Sequence, residues 1–241
     1  MKDILLLPTY NEKENIKSII SEVFSLVPNL EILVIDDNSP DGTAKEVEVM
    51  MSVYPGLKIL KRKGKTGLGN AYKEAMLLVS QDNDIRSVIT MDADGSHQPK
   101  YLPDFLASIN DYDLIIGSRY VSGGGVENWE GWRRYLSRFS NIYAKLFTHL
   151  PINDLTAGFM CIKTDFLRRL DFSQISSSGY CFLIELKFNL IRNLNARVIE
   201  LPIIFIERSK GASKFSLKIA WESFWKVISL GFKNSIHADK K

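Results

Sequence analysis

The chain has 241 residues, of which 45% are hydrophobic and 24% are charged, and its formal net charge at pH 7 is +3. This composition suits one large globular domain, or a domain with a modest extension, and is ample for a core. The charge is too small to indicate a nucleic-acid partner. Two cysteines, Cys161 and Cys181, without a CxxC spacing argue against a disulfide framework and a thiolate zinc site, so we expect a reducing, cytoplasmic setting.

The N-terminus runs directly into a predicted strand, Ile4–Leu7, without the basic flank, long apolar core or small-residue cleavage site of a signal peptide. No stretch approaches the roughly 18 uninterrupted apolar residues of a membrane-spanning helix. We therefore expect a soluble or peripheral protein.

Short apolar runs alternate with helical patterns after this strand. Asn11 is expected to cap a helix, with Glu14 completing a capping box. In chain order there follow a strand at Glu31–Asp36, a helix at Thr43–Val53, a strand at Leu57–Leu60, a helix at Leu68–Val79, a strand at Ser87–Met91, a helix at Pro99–Ile109 and a strand at Asp113–Gly117. This alternation predicts an α/β fold with a mostly parallel sheet flanked by helices.

Polar residues follow four of the predicted strands. They are Pro8–Glu12, Asp36–Asp37, Asp92–Asp94 and Ser118–Arg119. Ligands of such sheets bind beyond the carboxyl ends of the strands. The sequence therefore predicts a binding site at this edge.

The pattern changes after Arg119. The segments are a loop at Ser122–Gly125, an aromatic and basic stretch at Trp129–Phe147, the sequence DLTAGF, a strand at Val198–Ile206, the basic loop ERSKGASKF and a C-terminal helix. Without a linker or repeat, we expect one domain over residues 1–215 and a helical extension over residues 216–241. That amphipathic helix is predicted either to pack on the core or to lie at a membrane surface or a partner subunit.

Asp92 and Asp94 flank Ala93, so their side chains share one face of an extended backbone. Two close carboxylates repel each other unless a cation neutralises them, and hard oxygen ligands suit Mg²⁺ or Mn²⁺. The alternative is an acidic turn that begins the next helix. His97 lacks a second His or Cys at a metal-binding spacing, so we expect it to be a solvated loop residue.

The loop Lys63–Gly69 contains Gly-Lys-Thr, but Ile59 stands where a phosphate-binding loop needs glycine, and Tyr72 replaces the third glycine of a dinucleotide fingerprint. What remains is a basic loop at a helix N-terminus, expected near a phosphate. Other basic residues lie in or beside loops and are either solvated or anion-binding. They are Arg119, Arg133, Arg134, Arg208 and Lys214.

The segments LLLPTYNEKENI, ILVIDDNSPDGTA, KTGLGNA, VITMDADGSHQP, IIGSRY, DLTAGF and RSKGASKF stand in one order along the chain. Together they resemble the inverting family 2 glycosyltransferases, which have the glycosyltransferase A-type, Rossmann-like fold. The branch they resemble is that of the dolichol-phosphate (polyprenol-phosphate) mannosyltransferases. The resemblance covers nearly the whole chain.

The resemblance implies a role for each matched position. Nucleotide contacts are implied for Pro8, Tyr10, Glu12, Ile35 and Asp37. The metal-binding DxD matches Asp92, Ala93 and Asp94, and diphosphate or sugar contacts are implied for Arg119, Arg208 and Lys214, with Arg133 a further candidate. Family members often carry a bulky apolar residue at the position of Gly95. Ser96 beside it is a candidate third metal ligand. Family members often carry Arg or Lys at the position of Met160, so we expect the acceptor contacts to differ there.

The implied reaction transfers mannose from GDP-mannose to a polyprenyl phosphate with inversion, using Mg²⁺ or Mn²⁺. Asp154 is implied near the acceptor, either as a base or as a positioning group; a phosphate acceptor is already largely dianionic at pH 7. Alternatives are a UDP-sugar transferase acting on a lipid phosphate or a soluble acceptor, a nucleotidyltransferase, and a non-catalytic nucleotide-sugar-binding subunit. A lipid acceptor requires a membrane surface, so the enzyme is expected at the cytoplasmic face, through Trp129–Phe147 and the C-terminal helix.

Overall fold

A computed structural model describes residues 1–179, 181–207 and 224–232. Within them, the strands are β1 (Lys2–Thr9), β2 (Glu31–Asp36), β3 (Leu57–Lys61), β4 (Ile85–Thr90), β5 (Leu114–Ser118), β6 (Gly125–Glu127), β7 (Met160–Lys163), β8 (Val198–Pro202) and β9 (Ile204–Ile206). The α-helices are α1 (Lys13–Leu26), α2 (Thr43–Met51), α3 (Leu68–Val79), α4 (Leu102–Ser108), α5 (Gly131–Thr148), α6 (Thr164–Arg169) and α7 (Cys181–Phe188). Short 3₁₀ turns at Pro99–Tyr101 and Phe172–Gln174, and a π-helical turn at Asn189–Asn193, complete the α/β alternation.

The main sheet has the strand order β3-β2-β1-β4-β7-β5-β8 among the described residues. All neighbours are parallel except β7, which runs antiparallel to both β4 and β5. The predicted mostly parallel sheet is confirmed. Because β1, β2, β4 and β5 are parallel, their carboxyl ends meet at one edge, as ligand sites in such folds require.

Apolar residues cover both faces of the sheet. Along β1, Ile4 and Leu6 belong to one core cluster, and Leu5 and Leu7 to the other. Successive side chains of a strand point to opposite faces, so a run of consecutive leucines fits a strand that is buried on both sides. The first cluster includes residues of α3 and α7, and the second residues of α1, α2 and α4.

The predicted cap at the start of α1 is wrong. Asn11 has a φ of 62°, in the left-handed region, and α1 begins at Lys13 without a side-chain cap. The N–H groups of Asn11, Glu12 and Lys13 instead donate to three side chains between the end of β2 and the first residue of α2. Those acceptors are Ser39 Oγ, Thr43 Oγ1 and Asp41 Oδ2. A tertiary contact therefore replaces the local capping box.

The single strand predicted at Val198–Ile206 is also wrong. It divides after Pro202, at Ile203, into β8, which pairs with β5, and β9, which pairs with β6 in a separate two-stranded sheet. Pro202 has no N–H to continue a ladder. Ile203 instead donates to the Ser118 carbonyl at 3.1 Å, at the carboxyl end of β5, which brings β9 over the site edge.

Residues 224–232 are helical and pack on the domain. Val227 and Leu230 are buried in the first core cluster, and Phe224 stacks on Tyr143 of α5 with ring centroids 4.9 Å apart. The predicted boundary between residues 215 and 216 lies outside the described residues. Of the helices that the structure describes, none is long and apolar enough to cross a membrane.

Candidate active site

The acid pair follows β4 at the carboxyl edge of the sheet. Asp92 and Asp94 are half-buried, whereas Ala93 between them is buried. Gly95 then takes a φ of +79°, and the Ser96 N–H donates to Asp94 Oδ1 at 3.0 Å. Glycine reaches that φ without strain. This turn keeps both carboxylates at the strand end and places Ser96, the candidate third metal ligand, in a buried position.

His97 is buried, so the prediction of a solvated loop histidine is wrong. Its ring lies 5.1 Å from the ring of Phe159 and 5.2 Å from that of Phe205. Burial lowers the pKa of His97 to about 4. The neutral Nδ1 accepts the Asp92 backbone N–H at 3.0 Å. His97 therefore supports the backbone of the acid pair as a packed core residue.

The residues predicted to contact the nucleotide lie at the ends of β1 and β2. Pro8 lies within β1, paired with Ile35 of β2. The Ile35 side chain is fully buried in the core, and its carbonyl accepts from Thr9 Oγ1 at 3.4 Å. Tyr10 has the ammonium of Lys65 4.2 Å from its ring centroid. The roles of Pro8, Tyr10, Glu12 and Ile35 stay predictions.

Asp37 is joined to a cation that sequence reasoning missed. Arg62 binds the Asp37 carboxylate and also donates to Glu74 at 2.8 Å and to Thr66 Oγ1 at 2.6 Å. Burial raises the pKa of Asp37, and Arg62 offsets only part of that effect. Arg62 directly follows β3. The rule that polar residues after strands form the site would have found it, had it been applied to this strand.

The basic loop Lys63–Gly69 packs against the segment before α7. The Gly69 N–H donates to the Ser178 carbonyl at 2.8 Å. A Cβ at Gly67, where φ is +107°, would meet that carbonyl oxygen at 2.5 Å, and one at Gly69 would meet Phe182 Cβ at 2.7 Å. Both glycines thus permit close packing. Lys65, over Tyr10, and Thr66, which accepts from Arg62, face the predicted nucleotide contacts.

Arg119 and Asp154 form a buried ion pair between the end of β5 and the Asp154–Phe159 segment. Arg119 donates to the Asp154 carboxylate from its backbone N at 3.0 Å, and from Nε and Nη2 at 2.7 Å each. Burial raises the pKa of Asp154, but Arg119 more than offsets it, and the net pKa lies below the usual value. A carboxylate with a lowered pKa and three bonds from one arginine is a weak proton acceptor at neutral pH.

Aromatic rings surround the Arg119 guanidinium. The centroids of Trp129 and Phe205 each lie 5.6 Å from its Cζ, and Tyr120 lies at 5.3 Å. Arg133 is bound by Glu207, the residue after β9. Arg208 and Lys214, predicted to bind the diphosphate, lie outside the described residues.

A divalent metal fits the acid pair by its chemistry. Asp92 and Asp94 supply hard oxygen donors, and His97 uses Nδ1 for a backbone bond. Within residues 1–179, 181–207 and 224–232, no three His, Cys, Asp or Glu side chains form a complete metal cluster. Mg²⁺-like ions are ordinarily held by one or two carboxylates and take their remaining ligands from water and substrate phosphates. Two protein carboxylates are therefore sufficient.

Comparisons with known proteins identify the family of the chain. The family described as Glycosyl transferase family 2 matches residues 4–171. The chain is 38% identical to the polyprenol monophosphomannose synthase of Mycolicibacterium smegmatis, over 98% of this chain and 89% of that protein. It is 37% identical to the undecaprenyl-phosphate mannosyltransferase of Micrococcus luteus, over 96% and 94% of the two chains.

A solved structure shows the same fold. It is glucosyl-3-phosphoglycerate synthase from Mycobacterium tuberculosis, in complex with Mn²⁺, UDP and glucosyl-3-phosphoglycerate. Its TM-score is 0.66 at 18% identity, over 97% of this chain and 79% of that one. The predicted glycosyltransferase A-type fold is confirmed, and the chain belongs to glycosyl transferase family 2.

Proposed function

We propose that the protein transfers mannose from GDP-mannose to a polyprenyl phosphate with inversion at the anomeric carbon, using a divalent metal. The observation that carries this is the joint placement of the acid pair, which follows β4, and Arg119, which follows β5, at the carboxyl edge of the sheet. Two relatives about 37–38% identical over nearly the whole chain carry the names of polyprenyl-phosphate mannosyl transfer.

Asp92 and Asp94 would hold Mg²⁺ or Mn²⁺, with Ser96 as a further candidate. When bound, such an ion neutralises negative charge that develops on the departing diphosphate. The protein itself orients Arg119, because Asp154 holds two of its guanidinium nitrogens. A preorganised cation stabilises the transition state without a cost of reorganisation during the reaction.

The nucleotide is assigned to the ends of β1, β2 and β3. Pro8, Tyr10, Glu12, Ile35, Asp37 and Ala93 are the proposed contacts. Arg119, Arg133, Arg208 and Lys214 are the proposed partners of the diphosphate and the sugar. Arg133 is bound to Glu207 here, so an incoming anion would compete with that carboxylate.

The acceptor phosphate needs no general base, because its second pKa is about 6 and it is largely dianionic at pH 7. Asp154 is fully buried and its carboxylate is occupied by Arg119. We therefore assign Asp154 the role of positioning Arg119, rather than that of taking a proton from the acceptor.

A lipid-linked acceptor is reached through α5. Its outer face exposes six large apolar side chains, which are Trp132, Tyr135, Leu136, Phe139, Ile142 and Leu146. Phe224 and Trp225 are exposed beside it. Exposed apolar faces with adjacent basic residues are typical of helices that lie in a membrane interface. We assign this surface to peripheral docking at the cytoplasmic face.

Calorimetric binding of GDP, UDP and CDP in the presence of Mn²⁺ tests the nucleotide and metal. We expect binding of GDP alone, lost without metal and in Asp94→Asn, but kept in Asp104→Asn, which removes an exposed carboxylate of α4. The reaction is then tested by measuring mannosyl transfer to polyprenyl phosphate. The protein is first freed of metal with a chelator, and Mg²⁺ or Mn²⁺ is then added separately. Preference for UDP would show that the donor is a UDP-sugar instead of GDP-mannose. Binding of no nucleotide by the folded protein would overturn the proposal.

A further inference from the structure

The fully buried side chains of helix α5 form a narrow face. That face consists of Asn141, Ala144 and Thr148, two of which are polar. Thr148 donates its hydroxyl back to the Ala144 carbonyl within the helix at 2.7 Å. Asn141 is therefore the buried α5 side chain that bonds to another part of the domain.

All of the hydrogen-bonding capacity of Asn141 is used. Its Oδ1 accepts the N–H of Leu155 at 2.7 Å and that of Thr156 at 3.2 Å. Its Nδ2 donates to Thr156 Oγ1 at 3.1 Å and to the Ser137 carbonyl at 2.9 Å. An amide has two acceptor sites and two donor hydrogens. Because two backbone N–H groups must face the oxygen, the amide has one permitted orientation.

Thr156 continues the path from α5 into the site. Its Oγ1 accepts from Arg119 Nη2 at 2.7 Å and lies 3.3 Å from Asp154 Oδ1. One hydroxyl thus contacts the amide of Asn141, the guanidinium of Arg119 and the carboxylate of Asp154. Two hydrogen bonds therefore connect α5 to the cation assigned to the diphosphate.

The Asp154–Phe159 segment is also held from the core side. Lys187 of α7 is fully buried, and its Nζ donates to the carbonyls of Leu155 and Ala157 at 2.9 and 2.6 Å. Further along, the Gly158 carbonyl accepts from Thr90 Oγ1 at 2.6 Å. Lys187 and Thr90 thus fix the main chain around Thr156, and the Thr156 hydroxyl is the group of this segment that contacts both Asn141 and Arg119.

We propose that Asn141 and Thr156 are positioning residues that couple docking of α5 on a lipid surface to the placement of Arg119. The coupling rests on the proposed function and adds to it: the surface raises the rate of transfer, besides concentrating the acceptor.

The experiment uses the full chain, GDP-mannose with Mn²⁺, and a short-chain, water-soluble polyprenyl phosphate at saturating concentration. The kcat is measured with and without anionic vesicles that contain no acceptor. The acceptor is saturating both with and without vesicles, so a rise in kcat cannot come from a higher local concentration of acceptor. For the wild type we expect a rise of about 5-fold or more, the lower end of ordinary coupling.

Asn141→Ala and Thr156→Val remove the two links independently, and Thr156→Val keeps the shape of the side chain. We expect both variants to float with vesicles as the wild type does, but to lose most of the stimulation of kcat. Ser140→Ala, on the same helix, and Thr156→Ser, which keeps the hydroxyl, should retain it. A weaker fold would not by itself remove vesicle stimulation while leaving flotation intact.

Stimulation retained in both Asn141→Ala and Thr156→Val would overturn the coupling. So would a wild-type kcat that vesicles leave unchanged, because there would then be nothing to transmit. If the wild type transfers no mannose either with or without vesicles, the proposed function is overturned instead. The two failures are therefore distinguishable.

Discussion

Arg119 and Asp154 bind each other in the interior through two side-chain hydrogen bonds of 2.7 Å and a third from the Arg119 backbone. The Asp154 side chain is completely buried, and that of Arg119 is 9% exposed. A buried charge without its partner is strongly destabilising. The pair therefore sets both the shape of the site and part of the stability of the fold.

The first prediction concerns Asp154→Asn. We expect the free energy of unfolding to fall by about 3 kcal/mol, because Arg119 keeps a buried charge without a carboxylate. In a double-mutant cycle measured by urea unfolding, Asp154→Asn with Arg119→Gln should cost clearly less than the two single losses added together. Additive losses would show that the pair is not coupled.

The same variant separates positioning from base catalysis. If Asp154 only positions Arg119, mannosyl transfer falls by the same factor at every pH, and the acid limb of the kcat profile stays in place. A general base would instead contribute that limb, and its removal would cost at least roughly 10²-fold. Loss of the acid limb in Asp154→Asn would contradict our assignment.

The order of elements could be predicted from the sequence because each strand of the parallel half is a short apolar run that ends in polar residues. The placement of Asp92, Asp94, Asp37 and Arg119 at one edge follows from that rule alone. The antiparallel β7 could not be predicted from the apolar pattern, because a strand that is buried on both faces reads the same in either direction.

The supporting residues were missed because their roles depend on contacts between distant parts of the chain. Lys187 stands in an apolar helix and Asn141 in a basic, aromatic one, and neither carries a local motif. The buried position of His97 depends on Phe159 and Phe205, which are more than 60 and 100 residues away in the sequence. Such contacts form only once the strands are ordered.

A second prediction concerns the outer face of α5. Phe139 is 66% exposed, so Phe139→Glu should leave the fold intact. Fully burying such a side chain is worth about 1.5–3 kcal/mol. We therefore expect the variant to bind anionic vesicles roughly 10-fold more weakly in flotation. Val49→Glu, on the exposed surface of α2, is the control, and equal weakening by both would exclude α5 as the docking surface.

A third prediction concerns pH and Asp113, which joins three strands. Its carboxylate binds Lys163 at 2.8 Å, at the end of β7, and Arg197 at 3.2 Å, just before β8. Burial opposes ionisation of Asp113, but the hydrogen bonds from Arg197 and Lys163 outweigh it and lower the pKa to about 2. The ionised form is therefore favoured by folding.

A lowered pKa means that this stabilisation is present above the unfolded value near 4 and is lost as the pH falls through about 2. At pH 7, Asp113→Asn should lower the free energy of unfolding by about 2 kcal/mol. The difference between the wild type and the variant should shrink as the pH falls below 4, in urea titrations at each pH. A difference that does not change between pH 7 and pH 2 would disprove the ionic origin.

The last prediction uses two glycines of the basic loop. A Cβ at Gly69 would lie 2.7 Å from Phe182 Cβ and 3.0 Å from the Ser177 carbonyl oxygen, whereas one at Gly64 would meet no atom within 4 Å. Overpacking of this kind costs about 1–3 kcal/mol. We expect Gly69→Ala to lose that much stability in urea unfolding, and Gly64→Ala to stay unchanged or gain up to about 1 kcal/mol. If Gly69 served instead to admit a phosphate, its variant would unfold like the wild type and lose only nucleotide affinity.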